Sequence, residues 1–263
     1  MELGLTNKLA LVCAGSRGLG KSVAVELARE GAHIALCGRD RDAIGRATEA
    51  VTAVNGDGAL GMVADVSSPT DLDAFVAEAE SGFQRGVDIV VWNGGGPPPG
   101  SLLSLPPEAV RAGIAQHMEG ALHIFRRTIP GMQTRGFGRI IAITSIAAKQ
   151  PVLNIGVSTA VRAGLHGILK TLSREVAGDG VTVNAVMPSN ILTDRLRSLA
   201  RHHATEHLTE DETLAAISKS SPVGRLGRPE ELSAAVAFLA STRASFINGV
   251  SLSVDGGECS GLF

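Results

Sequence analysis

Short apolar segments alternate along the chain with longer segments in which apolar residues recur at helical spacing. The first apolar segment, 9–13, contains no polar residue, as expected for a strand that is buried on both faces of a sheet. From 21 to 30 the apolar residues recur every three or four positions, and Gly31 is placed to end a helix there. The alternation then continues, and strands are predicted at 33–37, 60–64, 87–92, 138–143, 181–186 and 250–254.

This order of elements predicts an α/β fold. Strands joined through helices pair in parallel, because the crossover helix packs back onto the sheet. We therefore expect a Rossmann-like, doubly wound parallel sheet with helices on both faces, in a single domain over 1–263, since no repeat or linker interrupts the pattern. The polar segment at about 191–220, rich in His and Arg, predicts a helical substrate lid over the carboxyl edge of the sheet.

Composition narrows the chemistry that the chain can perform. The 263 residues include no tyrosine, so no tyrosine side chain can serve as proton donor or nucleophile. The three cysteines, Cys13, Cys37 and Cys259, are odd in number and far apart, which argues against a disulfide framework and favours a reducing, cytoplasmic location. A net charge of −2 with mixed signs offers no basic stripe for nucleic acid. The sequence shows no leader pattern and no run of roughly 18 apolar residues, so we expect no targeting or membrane segment.

A glycine-rich turn follows the first predicted strand and precedes the first predicted helix. Glycines at these positions let the backbone bend sharply and bring N–H groups at a helix start to a pyrophosphate, so the turn predicts dinucleotide binding rather than a merely structural turn. The residues of the turn are Gly15, Ser16, Arg17, Gly18, Leu19 and Gly20.

The end of the second strand indicates which dinucleotide binds. Dinucleotide folds that take NAD carry an acidic residue there for the ribose 2′-hydroxyl, whereas this chain has Gly38 and Arg39. Arg17 and Arg39 suit a 2′-phosphate by charge and geometry. The sequence therefore favours NADP(H) over NAD(H).

Further segments extend the pattern over nearly the whole chain. With the glycine turn, they resemble the short-chain dehydrogenase/reductase family, most closely its bacterial 3-oxoacyl-(acyl-carrier-protein) reductase-like members. The segments are Asp65-Val66, Asn93-Gly94-Gly95, 184–193, 222–231 and 248–257. The resemblance implies cofactor contacts at Asp65, Val66, Asn93, Gly94, Gly95, Pro188, Ile191 and Thr193, and a homotetramer that packs through the helix at 157–177.

The catalytic positions depart from the family pattern of Ser, a Tyr thirteen residues later, a Lys four further on and an Asn on the preceding helix. Ser145 fills the first position, but Ser158 and Arg162 stand where the family has Tyr and Lys, and His117 stands where it has Asn. An aliphatic hydroxyl is a far weaker acid than a tyrosine of pKa near 10. Arg162 can bind ribose hydroxyls, but it stays protonated and cannot shuttle a proton as Lys does.

Three sources of the proton stay open at this point. Ser145 and Ser158 could hydrogen-bond the developing alkoxide while water or a ribose hydroxyl supplies the proton. His117, with an ordinary pKa near 6.5, could supply it, although a structural hydrogen bond is the alternative role for this residue. The third possibility is that the substrate carries its own acid.

These observations predict an NADP(H)-dependent oxidoreductase that reduces a small carbonyl compound, of 3-oxoacyl type or another ketone, or oxidises the corresponding alcohol. Two alternatives are an NADP(H)-binding sensor or regulatory subunit without catalysis, and a non-redox lyase or isomerase on the same scaffold. His203 and His207 have a zinc-like spacing with Glu206 between them, but a third ligand is missing at a motif distance. We therefore predict no metal site there.

Overall fold

The strands meet in one sheet. The computed structural model describes residues 2–56, 58–203 and 209–262, without the side chains of 202, 203 and 220. Within these residues seven strands pair in parallel in the order β3-β2-β1-β4-β5-β6-β7. They are β1 (Leu9–Val12), β2 (His33–Gly38), β3 (Ala59–Val63), β4 (Ile89–Asn93), β5 (Gly138–Ile143), β6 (Val181–Pro188) and β7 (Ser251–Val254). The predicted doubly wound parallel sheet is confirmed.

Helices cover both faces of this sheet and divide the hydrophobic core in two. Side chains of α1, α2 and α9 join one core, and those of α3, α5 and α6 join the other. The helices are α1 (Gly18–Arg29), α2 (Arg41–Asn55), α3 (Pro69–Phe83), α4 (Pro107–Ile114), α5 (Gly120–Arg135), α6 (Gly156–Glu175), α7 (Asp194–His203), α8 (Glu210–Ser220) and α9 (Pro229–Ala240). None of the described helices is long and apolar enough to cross a membrane.

The element boundaries differ from the sequence prediction by a few residues. β6 continues to Pro188, two residues beyond the predicted end, because its last residues pair with β7. α6 ends at Glu175, and a short 3-10 turn, Ala177–Asp179, follows it. Between α4 and α5 the chain forms a π-helical turn, Ala115–Glu119. Such wide turns occur frequently at functional sites.

The parallel pairing places the carboxyl ends of all strands at one edge of the sheet. The glycine turn follows β1, and Arg39 follows β2 at this edge. Asn93 ends β4, Ser145 follows β5, and Pro188 ends β6. The strand order reverses between β1 and β4, and folds of this class bind ligands in the crevice at such a reversal.

The predicted lid contains two helices, α7 and α8, which pack against each other. Arg197 and Arg201 of α7 form ion pairs with Glu210 of α8. Ile191, at the start of the predicted lid range, is buried and bridges to Gly227. The segment is therefore anchored to the body at its beginning, and its role as a lid stays a prediction.

Candidate active site

The glycine turn makes a tight connection from β1 to α1. Ala14 and Gly18 have φ values of 45° and 53°, so the backbone is left-handed at both positions. The N–H of Gly15 donates to the carbonyl of Cys37 at 2.8 Å, and the Asn93 amide donates to the carbonyl of Ala14 at 3.2 Å. No side chain caps the start of α1. The N–H groups of its first turn can therefore meet an anion, as a pyrophosphate requires.

The segment after β6 faces this turn. A Cβ added to Gly18 would lie 3.8 Å from the Cβ of Thr193, so the two segments border one cleft. The Thr193 hydroxyl accepts from the N–H of Leu196 at 3.3 Å and so helps to begin α7. Both walls of the cleft thus present a helix start.

The end of β2 carries the positive charges expected for a 2′-phosphate. Arg39 is exposed, and Gly38 packs so closely on Ser16 that a Cβ there would lie 2.9 Å from its hydroxyl. Arg17 forms an ion pair with Asp40, whose carboxylate also caps α2 by accepting from Ala43 at 3.0 Å. A phosphate bound by Arg17 must therefore compete with Asp40, whereas Arg39 forms no ion pair in the described part of the chain.

Asp65 and Val66 follow β3 at the same edge. The Asp65 carboxylate accepts from the N–H of Ser67 at 2.9 Å and from its hydroxyl at 2.7 Å, and Val66 is buried. The Asp65 carboxylate is therefore fixed at the position where the family resemblance expects an adenine contact.

Side chains bind the backbone carbonyls of a glycine loop, residues 94–97, that follows β4. Gln116 donates to the carbonyl of Gly94. Arg162 donates to the carbonyl of Gly95 at 2.7 Å. Arg195 reaches the carbonyls of Gly96 and Pro97 at 3.5 and 3.2 Å. Four successive carbonyls thus have side-chain donors from three separate helical segments.

Two glycines of this loop make room for the side chains that pack on it. A Cβ added to Gly94 would lie 2.7 Å from Nδ1 of His117. A Cβ added to Gly96 would overlap the guanidinium of Arg195. The glycines therefore permit the close approach of an imidazole and a guanidinium to the loop.

His117 lies in the π-helical turn and is 2% exposed. Its Nε2 atom is buried without a hydrogen-bond partner in the described structure. Burial lowers the pKa of His117 to about 3, with a further contribution from the charges of Arg162 and Arg195. An imidazolium acid at neutral pH does not fit this environment, because the neutral ring is strongly favoured.

Arg162 and Ser158 form a buried pair on the first two turns of α6. The guanidinium donates to the Ser158 hydroxyl, and the two residues are 8% and 7% exposed. Burial, together with the charge of Arg195, lowers the pKa of Arg162 to about 10, so it remains a cation at neutral pH. Since the Ser158 oxygen accepts from a cation, its own O–H group is left to donate.

Ser145 stands after β5 at the start of a short 3-10 turn. Its hydroxyl oxygen accepts from the N–H of Ala147 at 3.1 Å, which fixes the side chain while its proton stays available to an acceptor. The preceding residue, Thr144, contacts His166 at 2.9 Å, and His166 contacts Ser251 at 2.8 Å. This chain of hydrogen bonds ties the end of β5 to α6 and β7.

Three residues that contact the site segments were missed by the sequence reasoning: Gln116, Arg195 and Glu258. Glu258 accepts from the Ser189 hydroxyl and, at 2.9 Å, from the Asn190 amide, so the C-terminal segment holds the loop after β6. The sequence does carry a signal for Arg195. A cation in the first turn of a helix is unfavourable because it opposes the helix dipole, so its presence there indicates a specific partner elsewhere in the fold.

Most of the histidine pattern of the lid lies outside the described residues. Glu206 and His207 lie outside the described residues, as do the side chains of His202 and His203. Among the described residues no group of three His, Cys, Asp or Glu side chains could hold a metal ion.

Known proteins resemble this chain over nearly its whole length. The family model described as enoyl-(acyl carrier protein) reductase matches residues 13–258. The 3-oxoacyl-(acyl-carrier-protein) reductase of Vibrio cholerae is 34% identical over 97% of this chain and 98% of its own length. Dehydrogenase/reductase SDR family member 4 of Bos taurus is 33% identical over 98% of this chain and 89% of its own.

Solved structures resemble the fold over its full length. L-sorbose reductase of Gluconobacter frateurii, complexed with NADPH and L-sorbose, superposes with a TM-score of 0.95 at 31% identity and covers 100% of both chains. An actinorhodin polyketide ketoreductase with NADPH superposes with a TM-score of 0.92 at 29% identity, over 97% of this chain and 98% of its own.

Proposed function

Because the chain belongs to the short-chain dehydrogenase/reductase family, we propose that it is an NADP(H)-dependent oxidoreductase that reduces a small carbonyl compound or oxidises the corresponding alcohol. The observation that carries the proposal is the glycine turn with the uncapped start of α1, at the sheet edge where Arg39 replaces an acidic residue. Relatives named as reductases, two of them solved with NADPH, support the same cofactor and reaction type.

The residues at this edge fit the cofactor. The turn from Gly15 to Gly20 would hold the pyrophosphate, and Arg39 with Arg17 the 2′-phosphate. Asp65 and Val66 would border the adenine. The nicotinamide half would meet Asn93, Gly94, Gly95, Pro188, Ile191, Thr193 and Arg162.

When bound, NADPH supplies the hydride to the carbonyl carbon. Ser145 is proposed to donate its hydroxyl proton as a hydrogen bond to the carbonyl oxygen, because its own oxygen is already held by Ala147. Ser158 donates in the same way, and the positive charge of Arg162 on its hydroxyl stabilises the negative charge that develops on the oxygen. Two hydroxyls and one guanidinium thus replace the hydroxyl, phenol and ammonium of the family pattern.

The proton that completes the reaction comes from solvent through this pair of hydroxyls. Arg162 stays protonated at neutral pH, since its pKa is about 10. His117 is neutral there, since its pKa is about 3. His117 is therefore proposed as a positioning residue that packs on Gly94, and the Nε2 of its neutral ring is left for one hydrogen bond.

A second candidate function is NADP(H) binding without turnover, as in a sensor or regulatory subunit. The observation that favours it is the absence of tyrosine, the usual proton donor of this family, from the whole chain. Binding is common to both candidates, and only turnover separates them.

The experiment measures nucleotide affinity and turnover together. The Kd of NADPH and NADH is determined for the wild type and for Arg39→Asp, and NADPH oxidation is followed with 3-oxoacyl thioesters, β-ketoesters, diketones and sugars. We expect NADPH to bind at least tenfold more tightly than NADH, and Arg39→Asp to reverse the preference. Binding with no turnover on any carbonyl would establish the second candidate, and binding of neither nucleotide would overturn both.

The family resemblance also supports a homotetramer that packs through α6, in the cytoplasm. Light scattering of the purified protein tests the assembly, and a mass of one or two chains would contradict it. Fractionation of the source cells tests the location.

A further inference from the structure

The first helix of the lid carries three arginines that have different kinds of partner. Arg197 and Arg201 pair with Glu210 of α8 at 3.5 and 3.7 Å. Arg195 turns instead to the glycine loop, and its partners among the described residues are the uncharged carbonyls of Gly96 and Pro97. Its charge is therefore not balanced by the acid that its neighbours on α7 share.

Arg162 is also without a counter-charge. It forms no ion pair with any described residue, and its Nε atom is buried without a partner. Arg139, an equally buried arginine, differs because its Nε donates to the carbonyl of Ser241 and its Nη1 to two more carbonyls. Arg139 lacks an opposite charge as well, but its Nε has a partner, so the unpartnered Nε is the feature of Arg162 that a structural role alone does not account for.

The two cations converge on one place. Arg162 donates to the carbonyl of Gly95 and Arg195 to that of the next residue, Gly96, so the two guanidinium groups bind consecutive peptide units. Their mutual effect is visible in the pKa of Arg162, which burial and then the charge of Arg195 lower to about 10. His117 adds no negative charge, since its ring is neutral. The two guanidinium groups therefore lie on the side of the site that contains Ser158, where the substrate carbonyl is proposed to bind.

We propose that Arg195, with Arg162 behind it, binds a carboxylate of the substrate, so that the preferred substrates are short oxo acids rather than neutral ketones. The proposal rests on the function given above and specifies its substrate class. A guanidinium binds a carboxylate through two parallel hydrogen bonds, and the exposed side chain of Arg195 can exchange its long contacts with Gly96 and Pro97 for such a pair.

The test compares a carboxylate with its uncharged methyl ester. Binding of acetoacetate and methyl acetoacetate is measured by calorimetry with saturating NADP⁺, which cannot reduce them, and again without nucleotide. We expect the acid to bind roughly tenfold to a hundredfold more tightly than the ester in the wild type, as for hydrogen bonds to charged groups. In Arg195→Met, which retains the length of the side chain without its charge, the preference is expected to fall to about twofold or less. Arg195→Lys should restore part of it.

Three further variants test whether the preference for the acid depends on the position of the Arg195 charge rather than on the total charge of the protein. Arg197→Met removes a cation from the same helix that is paired with Glu210, and it should leave the preference intact. Gly96→Ala places a methyl group where the Arg195 guanidinium lies, so it should shift the end of that flexible side chain and reduce the preference without removing any charge. Gly45→Ala on α2, where a methyl group meets nothing within 4 Å, is the matched control for Gly96→Ala.

Equal binding of acid and ester by the wild type would overturn the proposal, even if the ester is reduced and the proposed function holds. Weaker NADPH binding in Arg195→Met, with the acid preference unchanged, would assign the arginine to the cofactor phosphates and would also overturn it. An Arg195-dependent preference in a protein that reduces no carbonyl would support the anion site while the proposed function fails.

Discussion

The guanidinium of Arg162 donates a hydrogen bond to the hydroxyl of Ser158, one turn earlier on α6. The family resemblance predicts that the pair occupies the two positions of the family's tyrosine and lysine. Because the serine side chain is short, the guanidinium takes the space next to Cβ that a phenol ring would fill. Ser158 and Arg162 therefore form one structural unit, in which the position of the guanidinium requires a small side chain at residue 158.

This dependence predicts the behaviour of exchanges towards the family residues. Ser158→Tyr alone should lose activity, because the ring and the guanidinium compete for the same space. The double exchange Ser158→Tyr with Arg162→Lys restores a donor that a nearby ammonium can activate, and general acid catalysis contributes about 10²-fold or more. We expect the double variant to reduce neutral ketones at least tenfold faster than the wild type, measured as NADPH oxidation. A double variant that folds and binds NADPH without this gain would contradict the proposed equivalence of positions.

The packing of His117 on Gly94 predicts a steric effect on stability. Gly94→Ala brings a methyl group to 2.7 Å from Nδ1 of His117, and the forced shift should lower the free energy of unfolding by about 1–3 kcal/mol. Urea unfolding measures it. Gly45→Ala on α2 is the control, because it meets nothing within 4 Å and should stabilise the helix by about 0.5–1 kcal/mol. If the clash is the cause, adding His117→Ala recovers part of the loss, and a loss that persists in full would refute it.

The lowered pKa of His117 predicts a loss of stability in acid. Below pH 6.5 the unfolded chain binds a proton at this histidine, whereas the folded chain does not until about pH 3. The free energy of unfolding should thus fall with pH, by about 2 kcal/mol between pH 6.5 and 5 from this residue alone. His117→Asn, the family residue, removes that contribution, so its stability should depend less steeply on pH in urea unfolding at both values. Parallel profiles for the two proteins would exclude a neutral, buried His117.

The left-handed backbone at Ala14 predicts that a substitution there stabilises the protein. It has a φ of 45° at the position where the family has its first glycine, and a left-handed conformation costs an alanine about 1–2 kcal/mol. Ala14→Gly removes that strain at some cost in backbone entropy, so we expect a net gain of about 0.5–1 kcal/mol in the free energy of unfolding. Gly18→Ala is the mirror control, because φ is 53° there and a methyl group would contact only Thr193 at 3.8 Å. Calorimetric unfolding without nucleotide should show opposite signs for the two variants.

The sequence by itself determined the fold and the edge at which the site lies. Strands buried on both faces leave a continuous apolar pattern, and the crossover helices leave a 3.6-residue period, so both elements and the parallel pairing follow from local patterns. The glycine turn, Arg39 and the absence of tyrosine can likewise be recognised in the sequence without the tertiary structure. Register with a family pattern then located Ser145, Ser158, Arg162 and His117 along the chain.

Only the tertiary structure decided what these residues do to one another. The pKa of His117 depends on burial and on two arginines that lie 45 and 78 residues further along the chain. Arg195 meets the glycine loop because the start of α7 lies next to the loop that follows β4, and the pattern around position 195 predicts only a polar helix. Electrostatic effects add across elements that are distant in sequence, so charge balance in this site is a property of the folded chain.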